Sequence, residues 1–568
     1  MERLDWAREA LVTYINHLDR STVWAAVAGL LVLVATISYL RTSIEARPAR
    51  DGQPATPRQH PYLVPFVGHA PQFIACREWF LHSLRGLYPE GIFSIRFFGG
   101  LHSIVFSPAL RDSILSTPRS TANDDFLPPL LLRSTFGVSK SGTDAYCAIE
   151  HELRDIAASM QTKTGFQPLV DVTLAHIRRN IADLVTFNSS PADQADWERA
   201  SGAEVVEDSK GQTFAQVDLL ELVRNFVAET ANPGLFGTNF VENFPDAWQH
   251  LWKFDAAFIK MTFAPSWLPI PSVGLGRAAA RQFRQHLCEF HEAMDKHLAG
   301  EEPGIKWQDL DNVSPLVKAR VEVFQRGNLP TEARTAADLA LVWAMNANAN
   351  VLVAWMIWEI SRDAVLVEQI REEIAPYVRV AQPVNDFGGA VWLAPELEYV
   401  DLDGLLTKCP LLMGAYIETL RLYAGAWLMR KVAKDVVISE PGKEQTYLLK
   451  QGTYVHCPQD LHQLDPEYFD DPKEFIPQRH VHETEDKQGS MVRTVKTDTM
   501  KPYDEASLLS GSSEFTLREM MIYPAVMLSL YEFLAPEGKG WALPQIEKRA
   551  ATRHPRRPMA VWVRRKKV

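Results

Sequence analysis

The chain has 568 residues, of which 46% are hydrophobic and 23% are charged, the balance of a globular protein with a substantial core. Its formal net charge of -11 leaves no basic excess to neutralise phosphates, which argues against a nucleic-acid partner. The five cysteines are scattered and form no Cys-x-x-Cys pair, so neither a zinc cage nor a disulfide framework is predicted.

The first element in chain order is an uncharged run over residues 21–40, "STVWAAVAGLLVLVATISYL". About 20 apolar residues cross a bilayer as a helix, so the run predicts a single transmembrane anchor, with a buried core helix as the alternative. Arg41, Arg47 and Arg50 follow the run, which by the positive-inside tendency places the large C-terminal part in the cytosol. The predicted organisation is therefore a short segment 1–20, an anchor 21–40, a proline-rich linker 41–60 and one domain over 61–568.

The large domain is expected to be mainly α with small β-sheets. The stretch "GIFSIRFFGGLHSIVFSP", residues 91–108, predicts two short strands around a turn at Gly99 and Gly100. Helical patterns dominate from about Ala109 onward. Two polar stretches interrupt them, and both are predicted to be surface loops: residues 188–214 and 482–501.

A long apolar helix is predicted over residues 336–363, because the sequence is apolar almost all round, as in a helix through a large core. Three asparagines interrupt the pattern. Asn346 and Asn350 are four residues apart and share a face, whereas Asn348 points roughly the other way. Such amides either line a pocket or bend the helix through internal hydrogen bonds.

A second helix carries Glu418 and Arg421 three residues apart, hence on one face. Further along the chain, the turn "FIPQR" ends in Arg479. An arginine fork can bridge a buried carboxylate and backbone carbonyls, which would hold this loop on the helix.

These two segments resemble the cytochrome P-450 family, which pairs a Glu-x-x-Arg helix with a Phe-x-Pro-x-Arg meander. Glu418, Arg421 and Arg479 match that triad, which in the family stabilises the fold and does not perform catalysis. The stretch "HPYLVPFVGHAPQF" is similar to the proline-rich hinge of the family, and residues 91–108 are similar to its first hairpin. The resemblance covers nearly the whole chain beyond Arg41. It implies a cytochrome P-450 fold behind the transmembrane helix.

The resemblance also implies a reaction. Family members are haem-thiolate monooxygenases, so haem (heme iron), a lipophilic substrate and a flavoprotein reductase on the same endoplasmic reticulum membrane are expected. Ala347 and Asn348 occupy the places of the usual acid and threonine that deliver protons to bound dioxygen. An Ala-Asn pair there resembles the cholesterol 7-alpha-hydroxylase and prostacyclin synthase branch. Arg154 is a candidate contact of a haem propionate, with a solvated surface arginine as the alternative.

The family's haem-binding signature falls on "KPYDEASLLSGSSEFTLRE", which begins at Lys501. Counting back from "FTLRE" without gaps, Tyr503 takes the place of the signature phenylalanine. Ser510 takes the place of the cysteine that binds iron, so it is the metal-ligand candidate by position alone. A serine hydroxyl does not supply the electron density with which a thiolate favours O–O cleavage. Cys457 and Cys147 lie elsewhere along the chain and are more consistent with buried thiols.

Three hypotheses follow from this contrast. The first is a monooxygenase-like protein in a secondary-metabolite pathway that modifies a sterol, terpenoid or polyketide. The second is a degenerate relative that binds substrate, scaffolds a partner enzyme or catalyses a non-redox reaction. The third is a misread exon boundary, which the preserved spacing between Tyr503 and "FTLRE" argues against.

Overall fold

The computed structural model describes residues 20–45, 54–264, 269–382, 394–425, 427–485, 489, 491–497, 499–500, 513–550 and 552–566. Within these residues the chain is mainly helical with small β-sheets, as expected. It forms two compact units. Unit 1 comprises Met1–Asp124 and Trp427–His462, and unit 2 comprises Asp125–Ala426 and Gln463–Val568. The predicted segment 1–20 lies outside the described residues except for its last residue, and the boundaries of the anchor, linker and domain remain predictions.

The helices of the described residues are numbered here in chain order. They are α1 Arg20–Glu45, α2 Ala70–Arg85, α3 Pro108–Leu115, α4 Leu127–Ser134, α5 Lys140–Ser159, α6 Lys163–Asn180, α7 Asp196–Ala200, α8 Leu219–Ala231, α9 Pro233–Phe236, α10 Thr238–Asn243, α11 Ala247–Phe263, α12 Pro271–Leu298, α13 Pro315–Arg326, α14 Thr331–Asn346, α15 Ala349–Arg362, α16 Ala364–Ile374, α17 Leu402–Lys408, α18 Pro410–Tyr423, α19 Asp460–Gln463 and α20 Ser513–Leu530. Short 3-10 turns lie at Ile181–Asp183, Pro191–Asp193 and Pro477–His480.

The strands are short and belong to six separate sheets or ribbons. They are β1 Ile92–Phe97, β2 Gly100–Val105, β3 Ala122–Asn123, β4 Glu204–Glu207, β5 Thr213–Asp218, β6 Val378–Ala381, β7 Glu396–Val400, β8 Trp427–Val432, β9 Val436–Ser439, β10 Thr446–Leu449, β11 Tyr454–Pro458, β12 Val481–Glu485, β13 Met491–Val495, β14 Tyr531–Leu534, β15 Ile546–Lys548, β16 Arg553–Pro555 and β17 Ala560–Arg565.

Unit 1 is built on a five-stranded sheet of order β1-β2-β11-β8-β3, beside the two-stranded ribbon β10-β9. The predicted hairpin is confirmed, since β1 and β2 pair antiparallel with Phe97 opposite Gly100. Phe98 and Gly99 close it with positive φ angles, a conformation that glycine adopts without strain. Strand β11 then runs parallel to β2 and antiparallel to β8.

In unit 2, α15 packs against α8, α18 and α20. Every residue from Ala349 to Ser361 is buried. Trp355 stacks on Tyr423 of α18 with ring centroids 4.1 Å apart, and its indole nitrogen donates to the Arg553 carbonyl at 2.7 Å. The helix ends at Asp363, whose side chain accepts the backbone N–H of Val365 and so caps α16. This core holds the elements that carry the predicted site residues.

Three expectations need correction. The single long helix predicted over 336–363 is two helices, because the chain breaks at Ala347 and Asn348 between α14 and α15. The stretch 188–214 is not all loop, since it contributes β4 and the start of β5 to the four-stranded sheet β14-β17-β5-β4. The stretch 482–501 contains most of the hairpin β12-β13.

The predicted anchor coincides with a helix, α1, and the described side chains between Trp24 and Leu40 are mostly exposed. By length and hydropathy, however, the stretch that qualifies as membrane-spanning in the described residues is Thr331–Arg362, which comprises α14, the break and α15. The qualifying window of that stretch is 78% buried inside the protein, as in a core helix of a soluble domain. Membrane insertion of residues 21–40 is therefore a proposal.

Candidate functional site

The break between α14 and α15 is held by an amide pair. Asn346, the last residue of α14, donates to Asn232 Oδ1 at 3.0 Å and accepts from Asn232 Nδ2 at 2.9 Å. Asn350, one turn further, donates to Asn346 Oδ1 at 3.3 Å and to the Arg224 carbonyl at 3.0 Å. Asn346 and Asn350 thus share one face. Their hydrogen bonds connect the interrupted helix to α8 and to Asn232, the residue that follows α8, and we call this set of contacts the helix lock.

Asn348 lies inside the break, with φ -106° and ψ -66°. Its Oδ1 atom is buried and accepts no hydrogen bond from any residue that the structure describes. The neighbouring Ala347 carbonyl accepts from the Thr552 hydroxyl at 3.4 Å, a long contact. Asn350 Oδ1 is likewise buried without a partner among the described residues, but the Asn350 amide nitrogen donates within this set of contacts. Asn348 therefore differs from the other two asparagines in that its side chain takes no part in holding the break.

Replacing Asn346 with alanine is expected to destabilise unit 2 by about 2 kcal/mol, because the buried Asn232 amide loses both of its partners on Asn346. Asn348→Ala is the matched control and should cost less, since the Asn348 oxygen has no partner in the described structure. Urea denaturation followed by tryptophan fluorescence measures the difference. Equal losses for the two variants would contradict the proposed lock.

A second buried cluster is centred on Glu418 of α18. Arg421 donates to both carboxylate oxygens of Glu418, at 2.8 and 2.7 Å, and both side chains are fully buried. The Arg479 guanidinium donates to Glu418 Oε1 at 3.1 Å. The structure thus brings together the three residues of the predicted triad.

Arg421 also fixes the chain that follows α19. Its guanidinium donates to three backbone carbonyls, those of Gln463, Pro472 and Glu474, at 2.9, 2.6 and 2.9 Å. These carbonyls belong to an irregular segment that has no ladder of its own to satisfy them. One arginine on a rigid helix therefore determines the path of this segment.

His480 completes the cluster, and sequence reasoning missed it. The His480 ring nitrogen Nε2 lies 2.9 Å from Glu418 Oε2, and the Ile476 backbone N–H donates to Glu418 Oε1 at 3.0 Å. The signal in the sequence was that His480 directly follows Arg479 in a tight turn. Hydrogen bonds from Arg421 and His480 outweigh burial and lower the pKa of Glu418 to about 2, so the carboxylate is ionised at neutral pH.

Arg154 lies on α5 and is engaged by two carboxylates. Its Nη2 atom is 2.6 Å from Glu150 Oε1, one helical turn away, and 3.6 Å from Asp125 Oδ1. The side chain is partly exposed. The structure therefore shows Arg154 in ion pairs within its own unit, which is the surface alternative raised from the sequence; a propionate contact remains a proposal.

Ser510 and Tyr503 lie outside the described residues, and α20 begins just after them at Ser513.

Helix α20 carries a buried acid, Glu519, which sequence reasoning also missed. Glu519 is 3% exposed, and burial raises the pKa of its carboxyl well above the ordinary value. Its Oε2 atom has no partner among the described residues. Tyr523, one turn on, bonds the Thr230 hydroxyl at 2.7 Å. The signal in the sequence was that Glu519 is the one acid in the largely apolar stretch from Phe515 to Leu530.

The cysteines decide whether the residues present fit a haem-thiolate centre. Three thiols donate hydrogen bonds within their own surroundings: Cys76 to the Gln72 carbonyl, Cys288 to Glu292 and Cys409 to the Glu373 carbonyl. Burial raises the pKa of Cys409 to about 12, which keeps it protonated.

The remaining two thiols do not change this picture. Cys147 is exposed on α5, and partial burial together with Glu150 raises its pKa. Cys457 is buried in β11 of unit 1. No cysteine occurs in the stretch 501–512, where the resemblance places the iron ligand. These donors do not fit a haem-thiolate centre.

Comparison with known proteins identifies a family. The sequence profile of the family "Cytochrome P-450" matches residues 177–496, which is more than half of the chain and ends before Lys501. A cytochrome P-450 monooxygenase, efuG of Hormonema carpetanum, is 22% identical over 344 residues, covering 56% of this chain and 58% of that protein.

Mammalian proteins are also among the relatives. Cytochrome P-450 7B1 of Mus musculus is 24% identical over 248 residues, covering 43% of this chain and 47% of that protein. The 25-hydroxycholesterol 7-alpha-hydroxylase of Rattus norvegicus is 24% identical over 221 residues, covering 39% of this chain and 51% of that enzyme. The matches thus span about half the length of the curated relatives.

Proposed function

Because this chain belongs to the cytochrome P-450 family and resembles its cholesterol 7-alpha-hydroxylase branch, we propose that it serves in the modification of a lipophilic small molecule. The observation that carries this proposal is the break at Ala347 and Asn348 in an otherwise buried, apolar helix pair. In the family this place lines the substrate pocket. The sterol, terpenoid or polyketide type of molecule and a secondary-metabolite pathway are part of the proposal.

The protein acts at a membrane in this proposal. Helix α1 contains the uncharged run 21–40, which is long enough to span the hydrocarbon core, and basic residues follow the run. Unit 1 adds large apolar side chains that are more than half exposed, an arrangement typical of surfaces that meet a membrane or a partner. They are Leu63 54%, Phe66 67%, Ile74 63%, Trp79 71%, Leu87 60% and Phe98 58%. A single-pass protein of the endoplasmic reticulum with a cytosolic domain is consistent with both features.

Two forms of this function differ in their chemistry. In the monooxygenase form, haem supplies oxygen activation and a flavoprotein reductase on the same membrane supplies electrons. In the degenerate form, the protein binds its lipophilic ligand, scaffolds a partner enzyme or catalyses a non-redox reaction. Ser510 in the ligand position and the location of all five thiols elsewhere favour the degenerate form for the chain as encoded.

Haem content and the reduced carbon monoxide difference spectrum of the purified full-length chain separate these forms. We expect no thiolate-type spectrum from the wild-type protein. Ser510→Cys is expected to gain haem and a thiolate-type spectrum, because it restores the thiol at the family's position. Ser512→Cys, two residues on, is the matched control and should gain neither.

The outcomes point in different directions. A thiolate-type spectrum from the wild-type protein would reject the degenerate form and leave an ordinary monooxygenase. Absence of haem from both the wild-type and Ser510→Cys proteins would support the non-redox form.

A further inference from the structure

An open cavity of about 670 Å³ lies in unit 2, within the size range of pockets for small organic ligands. Its walls are the N-terminal half of α8, the N-terminal half of α11 and the chain segment that leaves β16 at Pro555. The apolar part of the lining includes Trp252 and Pro558. No residue of the predicted triad lines it, so it is distinct from the Glu418 cluster.

Five cationic side chains line this cavity, against two carboxylates. The cations are Arg224, Lys253, Arg549, Arg556 and Arg557, and the carboxylates are Asp218 and Glu221. Both carboxylates are already engaged. Asp218 accepts the backbone N–H groups of Leu220 and Met559, and Glu221 forms a two-point ion pair with Arg224.

Arg549 is likewise compensated, since it lies 3.3 Å from the buried Asp255 and 3.0 Å from Glu547. Lys253, Arg556 and Arg557 are exposed and form no ion pair with the residues that the structure describes. The cavity therefore keeps an excess of positive charge after all of its internal pairs are made. An excess of one sign in a concave site concentrates ligands of the opposite sign.

The cavity wall is joined to the break between α14 and α15. The Arg224 carbonyl, on α8, accepts the Asn350 amide at 3.0 Å. On the opposite side, Thr552, three residues from Arg549, contacts the Ala347 carbonyl. A ligand in the cavity would therefore contact α8, whose Arg224 carbonyl accepts the Asn350 amide, and the segment from Arg549 that leads to Thr552.

We propose that this cavity binds the carboxylate of a lipophilic acid, with its apolar body on Trp252 and its charge at Lys253, Arg556 and Arg557. Arginine forks match carboxylate geometry, and an aromatic wall suits a flat or hydrocarbon body. The inference rests on the proposed function only in identifying this acid as the substrate class. Binding itself needs neither haem nor a reductase.

The test uses 2-naphthoate as the probe and the uncharged 2-naphthylmethanol as its comparison. Isothermal titration calorimetry of the full-length chain in nonionic detergent should show one naphthoate site that weakens as salt is raised. The alcohol should bind at least tenfold more weakly. The double variant Arg556→Gln/Arg557→Gln should lose about tenfold in affinity, as expected for two partly screened charges.

Arg178→Gln/Arg179→Gln is the matched control, because these adjacent arginines are also exposed and lie on α6, away from the cavity. It should bind naphthoate as the wild-type protein does. Failure of the wild-type protein to bind, or equal affinity in the Arg556/Arg557 variant, would overturn the inference. Either result is independent of the haem spectrum, so the proposed function can fail or stand separately.

Discussion

Replacing Glu418 with glutamine is expected to cost unit 2 about 3–5 kcal/mol, a large part of the net stability of a typical domain. Glutamine has nearly the same shape but no charge. The fully buried Arg421 would then keep its positive charge without a counter-ion. Removal of one partner of a buried pair is far more costly than the pair's own contribution, since the remaining ion stays desolvated.

The measurement is equilibrium urea denaturation, with Glu368→Gln as the matched control. Glu368 pairs with Arg371 at the same three-residue helical spacing, but its side chain is 65% exposed. Exposed pairs contribute about 0–1 kcal/mol, so the control should be close to wild type. Losses of similar size in the two variants would contradict a large contribution of the buried Glu418 cluster to the stability of unit 2.

The pH dependence of this variant has a defined sign. Because the folded-state pKa of Glu418 is about 2 and its ordinary value is 4.5, its stabilisation is present above pH 4.5. That stabilisation is lost as the pH falls from there through about 2. Glu418→Gln should therefore differ most from wild type at neutral pH and converge with it in strong acid.

The sequence predicts those parts of the fold that depend on local patterns. The hairpin around Gly99 follows from turn chemistry between two apolar runs, although its turn residues are Phe98 and Gly99 and not Gly99 and Gly100. The pairing of Glu418 with Arg421 follows from helical spacing. The prediction that Arg479 belongs to the same cluster came from the resemblance to the family, and not from any local pattern.

The features that the sequence did not predict depend on residues distant in the chain. Asn346 is held by Asn232, which is 114 residues away, so the break that they fix in the long helix has no local signal. The sheet that contains β4 and β5 depends on a distant segment, because β5 pairs with β17 at the other end of the chain and β4 pairs with β5. Tertiary pairing overrides composition in such stretches.

The two buried acids also show that a sequence pattern does not predict the surroundings of a buried side chain. Glu418 and Glu519 both lie in apolar helices, and a pattern of hydrophobicity cannot tell them apart. Glu418 meets two arginines and a histidine, whereas Glu519 meets Tyr523 and has an oxygen without a partner in the described residues. Hydrogen bonds from Arg421 and His480 lower the pKa of Glu418, whereas burial alone raises the pKa of Glu519.

Replacing Glu519 with glutamine is accordingly expected to stabilise the protein at neutral and alkaline pH. Burial alone raises the pKa of Glu519 well above 4.5, so the folded state keeps it protonated while the unfolded state releases the proton above that pH. Each pH unit between the unfolded and folded pKa values then costs up to about 1.4 kcal/mol of stability. Glutamine is neutral in both states and removes this cost.

The test is urea denaturation of wild type and Glu519→Gln between pH 5 and pH 8. The difference should be small near pH 5 and should grow in favour of the variant as the pH rises. Glu514→Gln is the control on the same helix, because Glu514 is 43% exposed and pairs with Arg518. A variant that is less stable than wild type at pH 8 would mean that Glu519 is ionised in the folded protein and held by a cationic partner. Such a partner would have to come from outside the described residues, since burial is the only influence that the described residues exert on the pKa of Glu519.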